Sequence, residues 1–348
     1  MLKPLRPEPR RTSGLIRGRY KVAPEDFLVE ELPAYEPCGR GDHVYLLVEK
    51  RLLSTIDLLH ELGDRLGRSE REFGIAGLKD ARAISRQWVS IEHVDEASCR
   101  DLAGERFRVL AVSRHGNKLR LGHLRGNRFV VTLRGTAPGD LELAGAGLAE
   151  MARLGVPNYF GEQRFGKRGA NLQKGLEVLA GDARAFARRM PRRVFGLVLS
   201  AVQSEVFNRV VAVRRHALDR LLPGDLAFLH DKGAVFAVTE PEREQPRADA
   251  LQISPSGPMP GPKMTPPTGE PLAIEQAALA ELGLSPAAFD DLPFGLARGE
   301  RRPLRVPLAD PSAREVDAGL ELAFGLPRGA YATSVLRELL TDTIWFAG

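Results

Sequence analysis

The segment GIAGLKDARAISRQWVSI, residues 74–91, predicts two β-strands joined by a short polar loop. Aliphatic and aromatic residues dominate the runs on either side of Lys79 and Asp80. Asp80 therefore stands where a strand ends and a loop begins, a common place for functional side chains. The adjacent cations Lys79 and Arg82 favour an ionised carboxylate, which a nucleophile or a general base requires. A turn aspartate with surface ion pairs fits the same spacing, and this stretch alone favours that structural alternative.

Strand-like runs also surround this segment and dominate the first 135 residues. The predicted strands are 27–33, 42–50, 73–78, 86–94 and 127–135, and two more flank a hairpin turn at 115–117. Ser54 and Gly67 bound an amphipathic helix as its N-cap and its C-terminal stop. The apolar residues at helical spacing in this helix are Ile56, Leu58, Leu59 and Leu62. The N-terminal region is therefore predicted to be mostly sheet, with helices between strands.

The later part of the chain has a different character. Residues 171–220 carry the apolar periodicity of helices. Residues 254–271 are rich in Pro and Gly, which predicts a segment without regular structure. Strand-like runs return at 301–310 and 315–327, and a helix is predicted at 331–340. This order predicts an α+β fold in which a helix-rich insertion interrupts a sheet that the C-terminal strands rejoin.

Composition is that of an ordinary soluble globular protein, with 43% apolar and 27% charged residues. No run approaches the length of about 20 apolar residues that a membrane span requires. The N-terminal stretch also lacks the apolar core of a secretory signal. The two cysteines, Cys38 and Cys99, exclude a disulfide framework. The predicted compartment is therefore the cytoplasm, with no membrane partner.

The basic block, defined as Arg106 to Arg134, holds eight Lys or Arg side chains and no Asp or Glu. The whole chain carries a net charge of only +5, so this local excess is more informative than the total. A block of one sign produces the positive field that binding of a polyanion such as RNA requires. The alternative is a solvated face that acidic residues from elsewhere in the fold neutralise.

Two further motifs contain residue types that bind unpaired bases. In a strand, Asn127 and Phe129 point to the same face. An aromatic ring beside an amide in a positive groove is how single-stranded RNA bases are stacked and read, and the alternative is a core Phe beside a turn Asn. The loop NYFGEQRFG, residues 158–166, combines three aromatics, two glycines and a Gln-Arg pair. It fits close phosphate approach and a rigid corner between domains equally well.

Metal and cofactor chemistry lack their usual sequence signals. The seven histidines are scattered, and no His or Cys pair has close ligand spacing. The chain has neither a phosphate-binding Walker loop nor the GxSxG elbow of serine hydrolases. Neither a metal nor a cofactor is therefore predicted. Asp80, a carboxylate in a basic setting with aromatics nearby, is the remaining candidate for catalysis.

Six segments of the chain resemble the tRNA pseudouridine synthase D (TruD) family. They run in the family's order from near the N-terminus almost to the C-terminus. One such motif is weak, whereas six collinear motifs are highly specific. The segments are KVAPEDFLVEE (21–31), GLKDARAISRQW (77–88), KLRLGHLRGNRF (118–129), VPNYFGEQRFG (156–166), SAVQSEVFNRVV (200–211) and LPRGAYATSVLREL (326–339).

The resemblance implies functions for individual residues. It makes Asp80 the catalytic aspartate and Phe129 the aromatic that stacks on the target uracil, with Asn127 as the polar residue of the same motif. Lys21 and Phe27 fall in the N-terminal motif that lines the cleft, and Lys21 would supply the cation facing the aspartate. The predicted substrate-binding residues are Lys21, Phe27, Lys79, Asn127, Phe129, Gln163 and Arg164. For Lys79 the alternatives are that it keeps the Asp80 carboxylate ionised or that it contacts phosphate.

The same resemblance implies a fold and a reaction. The fold is a mixed-sheet catalytic core made of residues 1–155 and 305–348, interrupted by a helix-rich α/β insertion domain at 156–304. The reaction is isomerisation of uridine 13 in the D-arm of tRNA to pseudouridine, by a monomer, without metal or cofactor. The alternative function is a non-catalytic protein that binds RNA and assists tRNA folding through the same basic cleft.

Overall fold

The computed structural model describes residues 3–10 and 14–341. The chain divides into two compact units. The sheet unit consists of Ile16–Leu148 and Leu308–Gly329. The helical unit consists of Ala149–Pro307 with the described parts of Met1–Leu15 and Ala330–Gly348.

Both units contain strands and helices. Within the described residues the strands are β1 Phe27–Pro33, β2 His43–Arg51, β3 Gly74–Ile75, β4 Ile84–Glu92, β5 Phe107–His115, β6 Leu124–Leu133, β7 Val156–Pro157, β8 Leu226–Leu229, β9 Val235–Ala237, β10 Ile253–Met259, β11 Glu300–Pro303, β12 Arg305–Val306, β13 Ala309–Val316 and β14 Gly319–Pro327. The α-helices of the same ranges are α1 Thr55–Leu66, α2 Ala97–Arg100, α3 Asp140–Leu154, α4 Ala170–Ala180, α5 Ala183–Arg189, α6 Arg192–Val213, α7 Pro241–Asp249, α8 Gly269–Ala280 and α9 Ala332–Leu339.

A mixed sheet organises the sheet unit. Its strand order is β13-β14-β6-β1-β4-β2-β5, and β3 pairs with β4 beside this path. The pair β1–β4 is parallel, and the other pairs of the sheet are antiparallel. The C-terminal strands β13 and β14 join the N-terminal strands through β6, so the prediction that they rejoin the first sheet is confirmed.

Helix α1 packs on this sheet and has the predicted ends. The Ser54 hydroxyl accepts the N–H of Asp57 at 3.0 Å, and Gly67 closes the helix with φ of 63°, a conformation that favours glycine. Its buried leucines share a core cluster with Val44, Leu46 and Val48 of β2. The predicted apolar face is wrong at one position, because Ile56 is 48% exposed whereas the later leucines of the helix are buried.

The predicted hairpin at 115–117 is wrong. Only its first strand exists, as β5, and residues 116–123 form a loop before β6 begins. Strands β5 and β6, which flank this loop, do not pair with each other: β5 is an edge strand on β2, whereas β6 lies between β1 and β14. The loop is held by non-local bonds, from Leu119 N–H to Ser90 Oγ at 2.9 Å and from Gly122 N–H to the Ala76 carbonyl at 2.8 Å. Turn residues alone therefore did not decide the pairing partner.

Helix α6 forms the centre of the helical unit. It packs against α4, α8 and β10, and its buried side chains join a core that includes Phe160, Phe207 and Met259. Among the described helices, α6 is the one long and apolar enough to cross a bilayer by length and composition. Most of its apolar window, 72%, is buried against the rest of the protein, as in a core helix.

The prediction that residues 254–271 lack regular structure is wrong at both ends, because 254–259 belong to β10 and 269–271 begin α8. Strand β10 is buried along its whole length despite Pro255 and Pro258. Its N-terminal half pairs with β8 and its C-terminal half with β11. Each half is therefore bonded in the ladder on one side only, which is the situation in which a sheet tolerates proline.

The fold class predicted from the sequence is confirmed, since both units combine helices with sheets and the larger sheet is mixed. The helix-rich character of residues 171–220 is also confirmed, as α4, α5 and α6. The exact division into 1–155, 156–304 and 305–348 stays a prediction.

Candidate active site

Asp80 lies in the loop between β3 and β4, and its carboxylate accepts hydrogen bonds from two other residues. Its Oδ2 accepts a hydrogen bond from Nζ of Lys21, and the two side chains form an ion pair. Its Oδ1 accepts the N–H of Arg82 at 2.9 Å, which closes an Asx turn. The Asp80 side chain is 29% exposed. The carboxylate is thus fixed by two donors yet remains in reach of a ligand.

The charge state of Asp80 results from opposing effects. Burial disfavours the charged form, but the charge and hydrogen bond of Lys21, the Arg82 N–H and the charge of Lys50 outweigh it. Together they hold the pKa of Asp80 below its ordinary value of 3.8. The carboxylate is therefore ionised at neutral pH, as a nucleophile or general base requires.

Lys21 reaches Asp80 from an unusual backbone conformation. Its φ is 58°, a region that few residues other than glycine adopt. The ammonium also lies 4.2 Å from the centre of the Phe27 ring, which adds a cation–π contact. Backbone conformations of this kind cluster at functional sites, where surrounding contacts maintain them.

Three aromatic rings lie on one face of the sheet, and one of them, Phe27, contacts Lys21 of this ion pair. In the ladders, Phe129 of β6 lies opposite Val29 of β1 and Phe324 of β14. Its ring centre is 6.0 Å from that of Phe27 and 5.7 Å from that of Phe324. Phe129 is only 7% exposed, so most of its surface packs in the core. Its function as the stacking partner of a base stays a prediction.

Asn127 lies two residues before Phe129 and on the same face of β6. Its register partners are Glu31 on β1 and Leu326 on β14. The strands approach closely there because position 126 is glycine: a Cβ at Gly126 would lie 2.1 Å from the Leu326 carbonyl oxygen. Within the described ranges, the buried Oδ1 of Asn127 has no hydrogen-bond partner. The amide therefore retains unused hydrogen-bonding capacity.

Lys79 points into the protein. Its Nζ lies 2.6 Å from Oε2 of Glu31, and both side chains are almost completely buried. The backbone N–H of Lys79 donates to the Thr55 hydroxyl at 2.9 Å, and that hydroxyl donates to Oε1 of Gln87 at 3.0 Å. These bonds anchor the Asp80 loop to α1 and to the sheet. A direct substrate contact of Lys79 stays a prediction.

Lys50 is a contact of Asp80 that the sequence analysis missed. It is the eighth residue of β2 and is fully buried. Its Nζ donates to the carbonyl oxygens of Leu53 at 2.6 Å and of Asp80 at 3.1 Å. The alternation of β2 contains a signal, because Lys50 follows the buried Val44, Leu46 and Val48 at period two.

The basic block divides into two groups. Four of its cations pair with carboxylates from elsewhere in the sheet unit: Arg106 with Glu61, Arg108 with Glu49, Arg114 with Glu96 and Arg134 with Asp26. The other four have no carboxylate partner among the residues the structure describes: Lys118, Arg120, Arg125 and Arg128. The neutralising acids thus account for half of the block. The uncompensated charge is concentrated in the eleven positions from 118 to 128.

Gln163 and Arg164 belong to the helical unit. They lie in the 3₁₀ turn Glu162–Phe165, where Gln163 is exposed. The guanidinium of Arg164 lies 5.1 Å from the centre of the Phe160 ring, and its Nε donates to Ser204 Oγ at 3.1 Å. Their function as substrate contacts stays a prediction.

Comparison with known proteins identifies the family. The family model described as tRNA pseudouridine synthase D (TruD) matches residues 11–190 and 184–339. The chain belongs to the TruD family. The tRNA pseudouridine synthase D of Geobacter sulfurreducens is 42% identical, with 93% of this chain and 94% of that protein covered. A tRNA pseudouridine synthase D of Thermus thermophilus is 44% identical, with 93% and 89% covered.

A solved TruD structure has the same fold. The crystal structure of the Methanosarcina mazei protein given as tRNA pseudouridine synthase D (TruD) superposes with a TM-score of 0.79. The superposition includes 96% of this chain and 95% of the Methanosarcina mazei chain, and the two sequences are 24% identical. Family membership establishes the general activity: this TruD protein is a pseudouridine synthase, an isomerase that acts on uridine in tRNA.

Proposed function

We propose that Asp80 is the catalytic carboxylate of this synthase and that the target is uridine 13 in the D-arm of tRNA. The observation that carries the first part is the geometry of Asp80, which is ionised, paired with Lys21 and partly exposed. The target position rests on the resemblance of six collinear motifs to the TruD family. Four uncompensated cations of the basic block support an RNA substrate, because phosphate contacts dominate RNA affinity.

The chemistry breaks the C1′–N1 glycosidic bond and forms a C1′–C5 bond in its place. Asp80 acts either by attacking C1′ or by removing a ribose proton to form a glycal. The freed uracil rotates and bonds to C1′ through C5. In the first branch the ester bond between Asp80 and C1′ breaks as this bond forms, and in the second branch Asp80 returns the removed proton to the ribose. The C5 proton is then lost and N1 is protonated. Atoms and electrons balance without a co-reactant, since substrate and product are isomers. Lys21 holds the ionised carboxylate in position, and its positive charge balances the negative charge of Asp80 before the substrate binds.

The target base must leave the stacked RNA to reach Asp80. Extrusion costs a few kcal/mol, and stacking on an aromatic ring returns about 1–3 kcal/mol. Phe27 supplies a ring beside the ion pair, Phe129 supplies a second ring packed against Phe27, and Asn127 supplies an amide for the base edge. These assignments make the sheet unit the catalytic domain, and residues 156–304, with Gln163 and Arg164, an insertion domain that adds RNA contacts. We propose that the protein acts as a monomer in the cytoplasm, a compartment that suits its two free cysteines.

Mapping of the product tests this function directly. Incubation of the purified protein with an unmodified tRNA transcript carrying U13 should produce pseudouridine at position 13 alone. A transcript with U13 replaced by C is the matched control and should stay unmodified. Modification at another position with the same efficiency would contradict the assignment of the target.

Phe129→Leu tests the stacking assignment. Leucine keeps most of the apolar volume and removes the aromatic face. We expect the single-turnover rate to fall at least about 5-fold, because base–aromatic stacking contributes about 1–3 kcal/mol. The Kd for tRNA should change little, since only one flipped base contacts the ring. Single-turnover kinetics and filter binding measure the two quantities.

Phe324→Leu is the control for this prediction. Phe324 packs against Phe129 and is 1% exposed, so its truncation perturbs the same core. Both variants should lose similar stability in urea unfolding, but only Phe129→Leu should lose rate. An equal loss of rate in both would assign Phe129 to the core rather than to the substrate.

A further inference from the structure

Lys50 lies directly beneath the Asp80 loop. It is 0% exposed, and its ammonium bridges two backbone carbonyls, those of Leu53 and Asp80. Leu53 belongs to the turn that leads from β2 into α1, whereas Asp80 belongs to the loop before β4. One buried cation thus joins the loop that carries the carboxylate to the start of the neighbouring helix.

A lysine at this position needs an explanation beyond core packing. The preceding inward positions of β2 are Val44, Leu46 and Val48, and each of them is fully buried. Burying an ammonium group is unfavourable unless it is paired and hydrogen-bonded, and apolar residues of similar volume often replace buried ions without loss of stability. The chain nevertheless places a cation there, within hydrogen-bonding distance of the residue proposed to perform catalysis.

We propose that Lys50 is a positioning residue for the isomerisation: it fixes the Asp80 backbone so that the carboxylate stays at Lys21 and faces the ribose. This inference rests on the proposed catalytic function of Asp80. Lys21 and Lys50 then have separate tasks. Lys21 holds the carboxylate itself, whereas Lys50 holds the peptide group from which the carboxylate extends.

The charges around Lys50 make this positioning sensitive to pH. Asp80 and Asp57 favour the charged form of Lys50, whereas Lys79 opposes it. Burial is the largest effect and lowers the pKa of Lys50 to about 8, although the two carboxylates counteract it. Above this pH the amine keeps donor hydrogens but loses the charge that strengthens its bonds to the carbonyls.

Lys50→Met is the first test. Methionine has a similar length and no donor, so both carbonyls lose their partner. We expect the single-turnover rate to fall about 10-fold or more, with the Kd for tRNA within about 2-fold of wild type. The matched control is Lys3→Met, at an exposed position outside residues 156–304, which should change neither quantity. A rate within 2-fold of wild type, or a loss confined to Kd, would overturn the proposal.

A pH profile with Lys50→Arg separates positioning from a purely structural role. The wild-type rate should decline as pH rises through about 8, because Lys50 then loses its charge. Arginine keeps its charge in this range, so the decline should disappear or move to higher pH in Lys50→Arg. An identical alkaline decline in both proteins would overturn the proposal, and this arm also decides the matter if Lys50→Met fails to fold.

The result for Asp80→Asn distinguishes the two levels of inference. If Asp80→Asn keeps wild-type activity, the proposed function is wrong and the positioning role falls with it. If Asp80→Asn is inactive while Lys50→Met is as fast as wild type, only the positioning role is wrong.

Discussion

Asp80→Asn is expected to lower the single-turnover rate of pseudouridine formation at least about 10³-fold, the scale seen when a nucleophile or general base is removed. Asparagine has nearly the same shape, and its amide oxygen still accepts a hydrogen bond from Lys21. It lacks the negative charge that attack on C1′ or removal of a ribose proton requires. The rate is measured with excess enzyme on a U13 transcript, so that each bound tRNA reports one turnover.

RNA binding should survive this substitution. Removing a negative charge from a surface that binds phosphates does not weaken the attraction, so the Kd for tRNA should be equal to or lower than that of wild type. Asp64→Asn is the control, because Asp64 is an exposed aspartate on α1 in the same unit. Its carboxylate also lies near a basic side chain, 3.7 Å from His60, as the Asp80 carboxylate lies near Lys21. The Asp64→Asn variant should keep both rate and affinity. Retained activity in Asp80→Asn would remove Asp80 from the reaction.

The same variant separates catalysis from a folding function on tRNA. If the protein only assisted tRNA folding, the wild-type protein and the Asp80→Asn variant would complement a deletion strain equally well. If the protein is a synthase that uses Asp80, only the wild-type protein would restore pseudouridine in the tRNA of that strain. If the variant restores growth without restoring pseudouridine, both functions reside in one chain.

Local chemistry explains why some elements were predictable from the sequence. The ends of α1 follow from the side chain of Ser54 and from the positive φ of Gly67, both of which act within one helical turn. Strand β4 follows from the alternation around Trp88. The family motifs also predicted a contact between distant segments, because Lys21 and Asp80 lie in two separate motifs that the fold joins in one ion pair.

Non-local pairing explains the failures. The hairpin at 115–117 has suitable turn residues, yet the partner of β5 is β2, which lies more than fifty residues earlier in the chain. Pro255 and Pro258 suggest a break, yet β10 is bonded on one side only in each half. The alternation of β2 places Lys50 on the inward face, but a lysine at a strand end is ordinarily exposed, so this signal was weak. Its contact with the Asp80 carbonyl depends on a loop thirty residues later.

Lys79→Met is expected to lower the free energy of unfolding by about 3–5 kcal/mol at pH 7. The reason is that Glu31 would remain buried and charged without its partner, which now lies 2.6 Å away. Urea unfolding followed by circular dichroism measures the difference. If Lys79 instead contacted phosphate, its replacement would lower tRNA affinity with little change in stability. The measurement therefore decides between a buried ion-pair function and the predicted substrate contact of Lys79.

The pH dependence of this loss has a defined sign. Burial already raises the pKa of Glu31 above its ordinary value of 4.5, although Lys79 counteracts it, and removing Lys79 raises that pKa further. The folded Lys79→Met variant therefore binds a proton that the unfolded chain releases. The free energy of unfolding of the variant should therefore rise as pH falls from the raised pKa of Glu31 towards 4.5. The full loss of stability relative to wild type should appear at pH values above the raised pKa of Glu31.

The double variant Lys79→Met/Glu31→Gln completes the argument. It removes both charges and keeps the volumes similar, so it should recover most of the lost stability, because replacing a whole buried ion pair is often nearly neutral. It should also lose the acid-dependent gain, since no carboxyl group remains at position 31. If the double variant is as unstable as Lys79→Met, the buried charge of Glu31 is not the cause of the loss.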